Sequence, residues 1–122
     1  MKITSFNPMI VTKDAEPIIK LFEELGFEKR HHKEDIDDKD IQSTRMKDAN
    51  GFYVDVAQAE NIQQDLTTIR MNVDDFDEAH KFLTDRGFKG AQGDHAVITE
   101  SSKTMLMISP SGFSINLVQH LK

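Results

Sequence analysis

The chain has 122 residues, 38% apolar and 30% charged, a balance that supports a folded core rather than disorder. Its formal charge of −6 offers no basic face to a phosphate backbone, so nucleic acid is not an expected partner. The absence of cysteine removes disulfides, thiolate chemistry and cysteine-ligated zinc. The opening Met1-Lys2-Ile3-Thr4-Ser5 starts no apolar run of signal-peptide or membrane-span length, so a cytoplasmic single domain without membrane contact is expected.

Residues 3–11 are rich in strand formers, and their alternation sends Phe6, Pro8 and Ile10 toward a helix and Ser5, Asn7 and Met9 away from it. Asp14 is the expected N-cap of that helix, whose apolar positions Ile18, Leu21, Phe22 and Leu25 recur at helical spacing until Gly26 stops it. Strands are expected at about 28–32, 41–46 and 52–57, the last fed by the turn pair Asn50-Gly51. Residues 58–65 are polar and read as a linker. A strand over 67–73 follows, with Ile69, Met71 and Val73 on one face and Thr68, Arg70 and Asn72 on the other. Asp75, with Glu78 three residues on, caps a second helix carrying Ala79, Phe82 and Leu83, which ends at Gly87. Strands at about 96–99, 104–108 and 113–119 complete the chain, with Ser111-Gly112 as the turn before the last.

The second list repeats the first. Residues 9–27 (MIVTKDAEPIIKLFEELGF) lie over 70–88 (RMNVDDFDEAHKFLTDRGF), and 48–56 (DANGFYVDV) over 109–117 (SPSGFSINL), both at an offset of 61. Asp14/Asp75, Lys20/Lys81, Gly26/Gly87, Phe27/Phe88, Gly51/Gly112 and Phe52/Phe113 coincide. The reading is therefore two βαβββ units, 1–57 and 66–122, joined by linker 58–65. Each has one sheet face under its helix and one polar face, and the polar faces are expected to line a shared cleft. Candidate ligand-binding residues there are Asn7, Arg45, Asp55, Thr68, Arg70, Asn72 and Asn116. Arg70 suits an anionic group, and the amides and Asp55 suit hydrogen bonding.

A tandem βαβββ repeat with a D-x-x-x-(apolar) helix start, an (L/R)-G-F helix end and a (D/S)-x-x-G-F entry to the last strand resembles the vicinal-oxygen-chelate superfamily. That superfamily includes glyoxalase I, the bleomycin-resistance proteins and extradiol dioxygenases. The resemblance implies an α+β fold in which the repeats form an eight-stranded, incomplete barrel-like mixed sheet with two covering helices, and it implies a homodimer. It also implies metal ligands on the first and last strand of each unit, positions held here by Asn7, Asp55, Thr68 and Asn116. One carboxylate, two amides and a hydroxyl are poor donors for a divalent transition ion, so no tightly bound metal cofactor is expected, and at most a weakly bound one.

The remaining histidines do not supply a ligand set. His31 and His32 are neighbours in a strand and point to opposite faces, His80 is expected exposed on its helix, and His95 sits in a Gly93-Asp94-His95 turn. His120 shares the parity of Asn116 and belongs at the mouth of the cleft or in a frayed end. Met105 and Met107 read as core. With no nucleophile elbow, phosphate loop or HExxH motif, no catalytic residue is assigned. The expected function is metal-independent binding of a small molecule. The alternatives are a metal-dependent lyase, isomerase or dioxygenase-like enzyme of the same superfamily, and a structural interaction module.

Overall fold

The computed structural model describes residues 1–34, 42–91, 93 and 95–121. Ile41 and Asp94 lie outside the described residues, as do the side chains of His31 and His32. The described elements are, in order, β1 (Ile3–Thr12), α1 (Ala15–Glu24), β2 (Glu28–Glu34), β3 (Gln42–Lys47), β4 (Tyr53–Gln58), β5 (Leu66–Val73), α2 (Phe76–Thr84), β6 (Lys89–Gly90), β7 (Val97–Ile98), β8 (Ser102–Ile108) and β9 (Ser114–His120). They fall into two compact units. The N-terminal unit is Asn7–Thr67, and the C-terminal unit is Thr68–Lys122 together with Met1–Phe6.

In the N-terminal unit the strands run β2-β3-β4-β1, with β1 parallel to β4 and the other pairs antiparallel. In the C-terminal unit they run β5-β9-β8-β6, with β5 parallel to β9 and the short β7 on β8. The pairing registers carry the sequence offset. Met9 faces Asp55 and Arg70 faces Asn116, so 70 − 9 and 116 − 55 both equal 61. Thr44 faces Val56, and Met105 faces Leu117, at the same spacing.

The helix ends repeat as well. Gly26 and Gly87 adopt φ of 107° and 92°, the left-handed region that glycine enters without a Cβ penalty. In the first, Gly26 N–H bonds Glu23 O and Phe27 N–H bonds Phe22 O; in the second, Gly87 N–H bonds Thr84 O and Phe88 N–H bonds Leu83 O. This paired closure satisfies carbonyls that the helix end would otherwise leave open. The hydrophobic contact that accompanies it is an edge-on Phe22–Phe27 pair at 5.4 Å in the first unit. The helix starts share a device the sequence reading did not anticipate: the first helical N–H, of Ala15 or Phe76, is taken by the side-chain oxygen of Gln58 or Gln119 from the last strand of the same unit. Asp75 also caps Glu78 N–H as expected, whereas Asp14 holds the N-cap position without a side-chain bond.

Each unit has its own core. Ala15, Ile19, Met46, Val54 and Val56 are buried in the N-terminal one, flanked by Ile10, Ile18, Phe22 and Phe27. Met71, Val73, Phe76, Ala79, Leu83, Met105, Met107, Ile115 and Leu117 fill the C-terminal one. Fully burying each of the Val, Leu, Ile, Phe and Met side chains among them stabilises by about 1.5–3 kcal/mol.

Several expected positions face outward instead. Leu21, Leu25 and Phe82 are exposed because the buried stripe is centred on Ala15, Ile19 and Phe22, or on Phe76, Ala79 and Leu83, and at 100° per residue they fall to its side. Phe6 is exposed although Ile10 is not, since a ten-residue helix of about 15 Å covers only part of a ten-residue strand of about 33 Å. Phe52 and Phe113 precede their strands and are exposed. The expected strand at 96–99 shrinks to Val97–Ile98, and beside it Lys89–Gly90 pairs with β8. Gly90 is needed there, because a Cβ on it would come within 2.0 Å of Gly93 O. His80 is half-buried rather than exposed, stacked on the Phe76 ring at 6.1 Å.

Candidate functional site

In the N-terminal unit, strand parity places Asn7, Arg45 and Asp55 on the face away from α1, and the side chains meet. Asp55 is 0% exposed. Its Oδ2 accepts from Asn7 Nδ2 at 2.6 Å and from an Arg45 guanidinium nitrogen at 3.1 Å. The other terminal nitrogen of Arg45 donates to Asn7 Oδ1 at 3.3 Å. One guanidinium therefore bridges two side chains that lie 48 residues apart in sequence. A buried carboxylate needs such a partner, since desolvation costs several kcal/mol per ion and only close, hydrogen-bonded pairing offsets it. The Arg45 side chain keeps 18% exposure and lies over the Tyr53 ring at 4.2 Å, and Lys47 Nζ approaches the same ring at 5.3 Å.

The C-terminal unit holds Thr68, Arg70, Asn72 and Asn116 on the corresponding face. Arg70 Nε donates to Asn72 Oδ1 at 3.1 Å, and Asn72 Nδ2 lies 3.2 Å from His120 Nε2. An arginine nitrogen only donates, so the Asn72 atom facing it is the amide oxygen, and the amide nitrogen must donate to His120. His120 Nε2 is then the acceptor, and the neutral ring carries its proton on Nδ1. Thr68 is 4% exposed, and its Oγ1 is, among the described residues, the one fully buried side-chain polar atom without a hydrogen-bond partner. Asn116 is half-buried opposite Arg70.

Sequence reasoning placed Arg45 and Asp55 in one candidate set; strand alternation puts Tyr53 on the same face as Asp55, but neither it nor Lys47 was among the candidates. The signal was parity, since 45 and 47 alternate together on β3 and 53 and 55 on β4. His120, given two alternatives by the sequence, is bonded to Asn72.

The positions that the resemblance marks for metal ligands do not suit a divalent ion. In the N-terminal pair, Asp55 Oδ2 and Asn7 Oδ1 already accept from the Arg45 guanidinium, and the C-terminal pair contributes a hydroxyl and an amide. Among the described residues no three His, Asp or Glu side chains gather into a metal-binding group. No described helix is long and apolar enough to cross a membrane.

No protein-family model matches the sequence, and a search of curated proteins finds no match. Solved structures do match. A methylmalonyl-CoA epimerase aligns over 95% of this chain and 94% of its own with TM-score 0.69 and 20% identity. The methylmalonyl-CoA epimerase from Mycobacterium tuberculosis aligns over 96% and 88% with TM-score 0.72 and 16% identity. A variant of the Streptomyces coelicolor epimerase in complex with 2-nitronate-propionyl-CoA aligns over 99% and 100% with TM-score 0.70 and 14% identity. At such identities the likeness speaks for the fold: this chain has the α+β fold of the vicinal-oxygen-chelate (glyoxalase/bleomycin-resistance) superfamily.

Proposed function

We propose that the chain binds a small molecule without a metal ion, using the polar sheet faces that carry Asn7, Arg45 and Asp55 in one unit and Thr68, Arg70, Asn72 and Asn116 in the other. The observation that carries this reading is the Thr68 hydroxyl. A buried hydroxyl without a partner costs about 1–3 kcal/mol, and a ligand oxygen or nitrogen would supply that partner. Neighbours in fold solved in complex with 2-nitronate-propionyl-CoA and with methylmalonyl-CoA support a small organic molecule as the ligand.

The test is Thr68→Val, which keeps the shape and removes the hydroxyl. Ligand-free variant should be more stable than wild type by about 1 kcal/mol in urea denaturation, because an unsatisfied group has been deleted. In native mass spectrometry of protein purified without chelator, the variant should lose any small molecule that wild type retains. A variant less stable than wild type would mean that the hydroxyl serves the fold, and the reading would fail.

A second reading, a metal-dependent isomerase, is favoured by the epimerase neighbours. The same spectra decide it, since a divalent ion retained in stoichiometric amount and stripped together with the ligand by EDTA would replace the first reading. The working form is proposed to be a homodimer, which sedimentation as a monomer at micromolar concentration would refute.

A further inference from the structure

The disagreement between the implied metal ligands and the side chains present has a specific content in the N-terminal unit. The two positions expected to grip an ion are gripping a cation already. Arg45 donates to Asp55 Oδ2 at 3.1 Å and to Asn7 Oδ1 at 3.3 Å, so its guanidinium bridges the pair as an ion would. We propose that Arg45 is the resident cation of this site, standing where the superfamily's metal would stand and presenting its charge to an anionic oxygen of the ligand. This deepens the small-molecule reading above and rests on it.

Three observations favour that role over a purely structural ion pair. The carboxylate is wholly buried while the Arg45 side chain is 18% exposed, so the positive partner is the one a ligand can reach. Lys47 stands on the same face against the same Tyr53 ring, a second cation beside the guanidinium in a chain whose net charge is −6. The third is chemical: a guanidinium stays protonated across the working pH range, and its planar fork matches carboxylate, enolate or phosphate oxygens. Unlike a metal ion, it cannot be removed by a chelator.

The proposal makes two independent demands. First, EDTA-treated wild-type protein titrated with Co²⁺ should develop no d–d absorption, whereas Arg45→Gln, which takes the guanidinium off Asp55 Oδ2 and Asn7 Oδ1, should bind Co²⁺ at least tenfold more tightly. Equal Co²⁺ affinity in both would overturn the proposal. Second, sodium malonate should shift the Arg45 Nε–H resonance saturably in metal-free protein, against sodium chloride at matched ionic strength. A parallel titration with inorganic phosphate separates a carboxylate ligand from a phosphate one, and either response supports an oxyanion site. Because Arg45→Gln removes the cation from a buried carboxylate and could fail to fold, Arg45→Met combined with Asp55→Asn removes both charges, and this pair should fold and lack the saturable malonate shift expected in wild type at the backbone amide of Tyr53, whose ring lies beneath the guanidinium. Silence of Arg45 toward both anions would sink the resident cation. If Thr68→Val still gained stability and lost its ligand, small-molecule binding would survive that failure, and if it did not, both readings would fall.

Discussion

Around Asn7, Arg45 and Asp55 the N-terminal unit closes a charged network on one guanidinium, and 61 residues further on the C-terminal unit has Thr68, Leu106 and Asn116 at the same three places. Leu106 faces Asn116 just as Arg45 faces Asp55, so the strand register is kept while the charge is gone. Polar bonding in the C-terminal unit has moved along the strands to Arg70, Asn72 and His120, whose counterparts are Met9, Val11 and Ala59. The backbone frame thus tolerates complete exchange of one polar network for another. What it holds constant is register, the glutamine at each helix start and the Gly-Phe closure at each helix end.

The sharpest way to break the comparison is to remove the buried charge. Asp55→Ala leaves Arg45 without its carboxylate and should cost about 3–5 kcal/mol, whereas Asn116→Ala, at the matching place, should cost about 1 kcal/mol. Urea denaturation of both variants measures the difference. Equal costs would mean that Asp55 is as replaceable as an amide, and the two faces would not differ electrostatically.

The next effect separates the helix ends. Both Gly26→Ala and Gly87→Ala force a Cβ into the left-handed region, at about 1–2 kcal/mol. At Gly26 the added carbon meets nothing, but at Gly87 it would lie 2.7 Å from Pro110 Cγ, so a steric cost of about 1–3 kcal/mol is added there. Thermal melts should rank Gly87→Ala clearly below Gly26→Ala.

The helix starts should differ by less. Asp75→Ala removes a side-chain bond to Glu78 N–H and should cost about 1 kcal/mol, while Asp14→Ala should cost close to nothing because its side chain caps nothing. Gln119→Ala should cost somewhat more than Gln58→Ala, by up to about 1 kcal/mol, since both accept from the first helical N–H but Gln119 Nε2 also donates to Asp74 O at 3.0 Å.

These contrasts show what the sequence could and could not reveal. The offset of 61, the Gly-Phe helix ends and the alternation of β4 and β9 were legible because each is a local pattern of residue type. The outward turn of Leu21, Leu25 and Phe82 was not, because a short amphipathic helix admits more than one apolar stripe and only the facing sheet selects among them. Gln58 was read as the first linker residue, although Gln119 stands 61 positions on; its role is a tertiary bond that no local pattern encodes. Arg45 was legible as a member of the polar face. Its bridge from Asn7 to Asp55 was not, since it joins three strands whose pairing only the fold determines.

The smallest expected difference lies on the helix surface. Asp77 in the first turn of α2 accepts from Lys103 Nζ at 2.7 Å, and this hydrogen bond, reinforced by the lysine's charge, holds the Asp77 carboxyl below its ordinary value of 3.8. Its counterpart 61 residues earlier is Glu16, and the position matching Lys103 in the repeat is Gln42, which carries no charge. A folded-state pKa below the unfolded one means that the pair stabilises the protein above the ordinary carboxylate range and that this contribution is lost as pH falls through the lowered value. Asp77 is exposed, so solvent screening keeps the contribution small, and the direction of the titration is the better observable. In an NMR titration the Asp77 carboxyl should titrate below an unpaired aspartate, and Lys103→Met should move it back up. If Lys103→Met left it in place, the carboxyl would owe its acidity to the positive end of α2, and the difference between the two helices would vanish with it.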